Sequence, residues 1–331
     1  MKCLFFISSI LASTIVLAAQ VDVCNRSPGV VKLIERNVGK SCETITADDL
    51  AKIDYLTSTG LPPGAESFVI KALKVGDLDG LTSLEALRLE NVQLESIGSG
   101  IFRDSKKMNS IQLKDDSLKG LPDDLFAGLN MTSVGFGCKN LNALPASLAD
   151  QVQLQYLFTD YYGALKVPDD FFTKLTSLTQ LSIGLANSSL PTSIAALENL
   201  EYLWVGGKAV SALAPHFFDK MAKLSDLNIH NTSIGSLDDD AFLRLYSLEI
   251  VGLSNNQLKS LPAHLFSSQK NLDTLWIDGN PLTALDNWFF QDTASIKTSQ
   301  QGYLHIGHNL FDQPTLDKLE KTFGDHLARE K

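Results

Sequence analysis

The sequence predicts an α/β solenoid. Short parallel strands line a concave sheet, short helical or 3-10 turns form the convex side, and a cap closes each end. Three observations lead there. Nine segments, starting at Leu84, Met108, Met131, Leu154, Leu178, Leu200, Leu224, Leu248 and Leu272, share one apolar register at intervals of 22 to 24 residues. In almost every copy apolar residues fall at offsets 3, 5, 10 and 13, with a late phenylalanine at offset 18 in seven of the nine. The chain on either side of this register departs from it and has the character of caps. Offsets 3 and 5 are two apart, so on a strand they face one way, and offsets 2, 4 and 6 face the other. One such coil cannot bury its own open faces, so successive coils must stack.

The clearest copy is Leu248 to Phe266, LEIVGLSNNQLKSLPAHLF, with Leu248, Val251, Leu253, Asn256, Leu258, Leu261 and Phe266 at offsets 0, 3, 5, 8, 10, 13 and 18. This pattern, L-x-x-L-x-L-x-x-N-x-L followed by x-x-L-P, resembles the leucine-rich-repeat family over most of the chain. The phenylalanine style and length of the repeats, with a cysteine-containing cap before them, resemble exported bacterial members, adhesins included. The resemblance implies a non-enzymatic module that holds a protein or peptide partner on its concave face. Adhesion or another cell-surface interaction would be its setting.

Taken in order, residues 1–19 read as a secretory signal peptide: Lys2 gives a positive start, Leu4 to Leu17 is largely apolar, and Val16-Leu17-Ala18-Ala19 offers small residues for cleavage. The run is short for a membrane span of about 20 residues, and no second long apolar stretch follows, so no stable membrane insertion is expected. The mature chain would be secreted, periplasmic or on the cell surface. Residues 20–60 form the first cap. Export favours disulfides, and Cys24 and Cys42 are expected to pair there. Two thiols 18 apart with no histidine nearby make a metal or redox site a weak alternative. Pro28 to Arg36 is expected as a helix with Val30, Val31 and Ile34 inward, and Thr46-Ala47-Asp48-Asp49 as a capping box before Leu50 and Ile53.

The solenoid proper spans 61–311. Leu61-Pro62-Pro63-Gly64 breaks the chain before a degenerate coil in which Ile70, Leu73, Leu78 and Leu81 take the second half of the pattern. In the shortened repeats at Met131 and Leu178 the offset-18 position falls to Leu148 and to Ala195 or Ala196. Asn256 and Asn280 fit offset 8. Val92, Asp116, Lys139, Tyr162, Ala186, Lys208 and Thr232 do not, so the asparagine ladder is broken through most of the array. Cys138 has no partner in the mature chain and reads as a small buried residue. Leu304, Ile306 and Asn309 mark a truncated tenth coil. Residues 312–331 are the last cap: Asp312-Gln313-Pro314 opens a helix striped by Leu316, Leu319, Phe323 and Leu327. Covered ends argue against an open polymer and for a monomer.

Composition narrows the activity. The formal charge is −10, and −11 once residues 1–19, which carry Lys2 and no acid, are removed. With no Lys/Arg cluster, nucleic acid is excluded as a partner. None of the six histidines forms H-E-x-x-H, no G-x-S-x-G is present, and Gly135-Phe136-Gly137 lacks a dinucleotide loop's third glycine. No cofactor, metal or catalytic group is expected. Function then falls to the concave face, where large aromatics stand at outward offsets. Tyr156, Phe158 and Tyr161 belong to one coil, Tyr202 and Trp204 lie two coils on, and Trp276 lies further along. Asp226, Asn228 and His230 supply a polar side, and Gly184, Gly206 and Gly207 are expected to leave room for a partner. Exposed Tyr and Trp are typical binding anchors. Stacking on a cell-wall or surface glycan is the alternative use of the same residues. Asn25, Asn130, Asn187 and Asn231 open N-x-S/T triplets that would be glycosylation sites in a eukaryotic source.

Overall fold

A computed structural model describes residues 22–60, 68–160, 162–296 and 302–328. The expected signal peptide and Tyr161 therefore lie outside the described residues. The strands, in chain order, are β1 (Tyr55–Thr57), β2 (Ala72–Leu73), β3 (Ala86–Glu90), β4 (Ser96–Ile97), β5 (Ser110–Lys114), β6 (Ser133–Phe136), β7 (Tyr156–Thr159), β8 (Gln180–Gly184), β9 (Tyr202–Gly206), β10 (Asp226–His230), β11 (Ile250–Gly252), β12 (Thr274–Trp276), β13 (Tyr303–His305) and β14 (Leu327–Ala328). Twelve of them form one parallel sheet in chain order, and β2 and β4 pair separately. Each strand is short because only offsets 2 to 6 are extended; the chain then turns to build the convex side. The first strand of the sheet lies at Tyr55–Thr57, inside the segment assigned from sequence to the cap.

The interior follows the register. Leu87, Ile111, Val134, Leu157, Leu181, Leu203, Leu227, Val251, Leu275 and Leu304 pair in one row across the sheet, all at most 1% exposed. Behind them runs a phenylalanine spine, with Phe218, Phe242 and Phe266 packed in tilted contact at 6.0 and 6.1 Å between ring centroids. In the shortened repeats Leu148 fills the spine position in a 3-10 turn, as expected. In the next one, Ile194 does so rather than Ala195 or Ala196: the turn Thr192–Ala196 points its branched apolar residue inward. Two buried glutamines replace apolar residues on the convex wall. Gln151 donates to the Phe126 and Ser147 carbonyls and accepts from the Met131 N–H. Gln269 donates to the Phe242 and Leu245 carbonyls.

The ladder is not broken so much as reassigned, and backbone conformation explains how. Asn91, Asn231, Asn255, Gly279 and His308 occupy offset 7 with φ of 52° to 66°. That left-handed turn suits Asn and Gly. It carries offset 8 inward, where Thr232, Asn256 and Asn280 are buried. In the coils at Met108, Met131 and Leu178 offset 7 holds Asp115, Cys138 and Leu185, which keep φ negative and turn inward themselves. Asp115 accepts from the Leu94 and Ser117 N–H groups. Burial works against its charge, but those bonds outweigh it and hold its carboxyl below the usual range. Cys138 donates from its thiol to the Leu113 carbonyl, and burial pushes that thiol up to about 11, so it is an inert core residue.

At the first end, α1 (Pro28–Val38) buries Val30, Leu33 and Ile34, with Val31 only half-buried, since Leu33 takes the inward position. The Cys24–Cys42 disulfide closes the loop beside it, worth about 3 kcal/mol by loop-closure entropy. A capping box joins Thr46 and Asp49. Asn37 donates from its side chain to the Tyr55 carbonyl on the first strand. At the other end, a helix of the same length, Gln313–Phe323, starts on Asp312, whose side chain accepts from the Thr315 N–H. Phe323 stacks on Phe290 at 6.2 Å. The helix stops at Gly324, φ 50°, so Leu327 is not on its stripe but in β14, paired with Leu304.

Candidate binding face

The concave face presents two rows. In the first, Tyr55, Ala86, Ser110, Ser133, Tyr156, Gln180, Tyr202, Asp226, Ile250, Thr274 and Tyr303 lie in register; in the second, Phe158, Ser182, Trp204, Asn228, Gly252, Trp276 and His305 do so. Phe158, Tyr202 and Trp204 are 40%, 41% and 38% exposed, high for residues of that size on a strand. Tyr156 and Phe158 stack at 6.5 Å on their own strand, and Ser182 is buried between the Phe158 and Trp204 positions. Phe158 and Trp204 are two strands apart, about 10 Å by strand spacing.

Asp226 is not the open polar neighbour that the sequence suggests. It is 6% exposed because the indole of Trp204 leans over it, donating from Nε1 to Asp226 Oδ1 at 2.9 Å. Burial raises its carboxyl above the ordinary value, partly offset by that bond. Asn228 leans the same way: a Cβ on Gly252 would stand 2.6 Å from the Asn228 side chain, so only glycine admits it there. His230 Nδ1 lies 2.8 Å from Asn228 Oδ1. Burial lowers the His230 imidazole below its usual value.

The room expected at Gly184 is taken by the chain itself. Leu165 stands at offset 11 rather than 10, so the coil at Leu154 carries an extra residue just after its strand. The turn after β7 uses that residue to fold across the sheet. The Asp160 carboxylate accepts from the Tyr162 N–H, and the Asp160 carbonyl accepts from the Gly163 N–H. A Cβ on Gly184 would sit 2.4 Å from the Asp160 carbonyl oxygen and 2.8 Å from Gly163 N. The turn carries Tyr162 over two strands to meet His230 edge-on, 6.4 Å between ring centroids. Tyr162, read from sequence only as a misfit in the ladder, thereby joins the face; the displaced leucine is the signal that marks it.

Tyr162 separates two clefts. One, of about 380 Å³, runs from Trp204 to Trp276 and His305 over a floor of Asn228. The other, of about 520 Å³, lies between the Tyr162–Ala164 turn and the Leu185–Ala186 and Gly207–Ala209 turns. Trp276 and His305 stack at 5.3 Å with 29° between planes. Ser254 donates to Asp278 at 2.6 Å on the rim. The structure thus groups Trp204, Asn228, His230 and Trp276, sets Tyr156, Phe158 and Tyr202 beside them, and buries Asp226 beneath. Among the described residues no group of three or more His, Cys, Asp or Glu is placed to hold a metal ion, and no helix is long and apolar enough to cross a membrane.

Family models match the same coils. A BspA type leucine rich repeat region of six copies covers residues 78–201, and a leucine rich repeat model matches 198–258 and 222–282. The fold is a leucine-rich-repeat solenoid. Among solved structures, the chain is similar to an internalin from Listeria monocytogenes, at 17% identity and TM-score 0.56, covering 91% of this chain and 94% of that one. It is also similar to a chain of the Toll–Spatzle complex of Drosophila, at 22% identity and TM-score 0.54, covering 75% of this chain and 36% of that one. At such identities the likeness is one of fold. No curated protein matches the chain in sequence.

Proposed function

We propose that this chain is an exported, non-enzymatic and monomeric binding module that holds a protein or peptide partner on its concave face, in adhesion or another cell-surface interaction. Residues 1–19 direct export, 20–60 and 312–331 cap the array, and 61–311 present the face. Leucine-rich-repeat families are typically protein-interaction modules, which favours a protein partner. The observation that carries the reading is the exposure of Phe158, Tyr202 and Trp204 on a sheet whose inward residues are mostly aliphatic. Preorganised aromatics of this kind lose little entropy on binding and act as anchors.

Affinity capture with residues 20–331, run beside Phe158→Ala/Tyr202→Ala, tests it. These two positions are chosen because neither side chain supports Asp226, whereas removing Trp204 would leave a buried carboxylate without its donor. The double variant is expected to keep the parent's melting temperature and to lose at least about 30-fold in affinity, the effect of a single strong anchor of about 2 kcal/mol. A partner held equally by both proteins moves the site off this part of the face. Capture of surface polysaccharide in place of protein replaces the partner class.

A further inference from the structure

We propose that the cleft between Trp204 and Trp276 receives a cationic side chain, lysine or arginine, of the partner. This rests on the reading that a protein or peptide lies on the concave face. The cleft has the parts that such a group needs. Its walls are the two indoles and the ring of Tyr162, whose faces carry the negative end of the aromatic quadrupole. The Trp204 indole gives its N–H to the Asp226 carboxylate at 2.9 Å. That bond pushes electron density into the ring and sets an acidic group under the wall. A second carboxylate, Asp278, stands on the rim, held by the Ser254 hydroxyl. Among the described residues, no Lys or Arg lines the cleft, and the whole chain is acidic at −10. A cation entering here meets aromatic rings, amide groups and the Asp278 carboxylate, with Asp226 buried behind the Trp204 wall, and no like charge to displace except the two histidines, His230 and His305, when they are protonated. A sugar would find the same rings and would donate its hydroxyls to Asp278, but it carries no charge, so charge separates the two ligands.

The test uses residues 20–331 and the probe acetyl-Gly-Arg-Gly-amide, with the citrulline peptide as a neutral isostere. Binding is read from the indole N–H resonances of Trp204 and Trp276. The arginine peptide is expected to shift both in a saturable, salt-sensitive way, and about tenfold more tightly than the citrulline peptide. Asp278→Asn and Asp226→Asn each keep an oxygen that accepts from Ser254 or from Trp204, but remove the charge. Each is expected to weaken the arginine peptide by about three- to tenfold while leaving the citrulline peptide unchanged. Equal binding of the two peptides, carboxamide variants with parental affinity, or shifts caused by a chito-oligosaccharide but not by arginine would each overturn the proposal. Failure here is distinct from failure of the partner reading. If Phe158→Ala/Tyr202→Ala loses the captured partner while the arginine peptide moves neither indole, the face stands and the cation is discarded. If the arginine peptide binds but the double variant holds the partner as the parent does, the cation site stands and the wider anchor is discarded.

Discussion

Leu253→Asp is expected to lower the melting temperature by at least about 10 °C, or to prevent folding of the array. Leu253 is 1% exposed and faces the interior at offset 5 of the coil with the clearest motif. Removing its apolar bulk costs about 2–5 kcal/mol. The new carboxylate is then left without a partner in an apolar core, at several kcal/mol more, or protonates at similar expense. For a chain of this length each kcal/mol moves the midpoint by about 2–4 °C. Each coil contacts only its neighbours, so the damage divides the array at the eighth full repeat, and a broadened or two-step thermal unfolding curve is expected in circular dichroism. Melting like the parent's would place Leu253 outside the core and contradict the register.

Asn256→Ala should cost about 3–5 kcal/mol with almost no change in apolar packing. Asn256 is 2% exposed. Its amide donates to the Ile229 and Leu253 carbonyls, and its oxygen accepts from the Thr232 N–H and hydroxyl. Alanine leaves a buried N–H and two buried carbonyls without those partners, at roughly 1–3 kcal/mol for each group that finds no substitute. Lys208 occupies the same offset two coils earlier but is exposed, so Lys208→Ala should stay within about 0.5 kcal/mol of the parent. Urea unfolding of the two variants measures the contrast, and equal midpoints would deny the ladder its structural role.

The pair also shows what the sequence makes legible. Inward apolar positions could be read directly, because a stacked solenoid repeats one environment at one spacing and leucine is the cheapest way to fill it. The Cys24–Cys42 disulfide and the helix start at Asp312 were legible too, from the two cysteines and the capping residue. The ladder was less so. Asp115 and Cys138 do its work one position early because the left-handed turn at offset 7 is absent from their coils, and a fixed offset cannot register a change of backbone conformation. Ile194 and Leu327 were misplaced for similar local reasons, a tighter turn in one and a glycine stop in the other. On the concave face, residue types and register marked Phe158, Tyr202, Trp204 and Trp276 as outward. Asp226 was misjudged because its burial depends on which way the Trp204 indole leans, a side-chain choice that register does not specify. The Tyr162 turn was missed because one extra residue in a coil signals an excursion without saying where it goes.

The three tryptophans of the chain offer the most direct test of the central claim, that the concave face holds the partner. Trp204 and Trp276 stand on that face, whereas Trp288 is exposed in the Asn287–Asp292 helix on the convex side, its ring 4.1 Å from that of His264. Oxidative labelling of the captured complex, followed by mass spectrometry, reads all three in one experiment. Protection of Trp204 and Trp276 with Trp288 labelled as in the free protein is the predicted result. Protection of Trp288 while Trp204 and Trp276 remain open would put the partner on the convex side and contradict it.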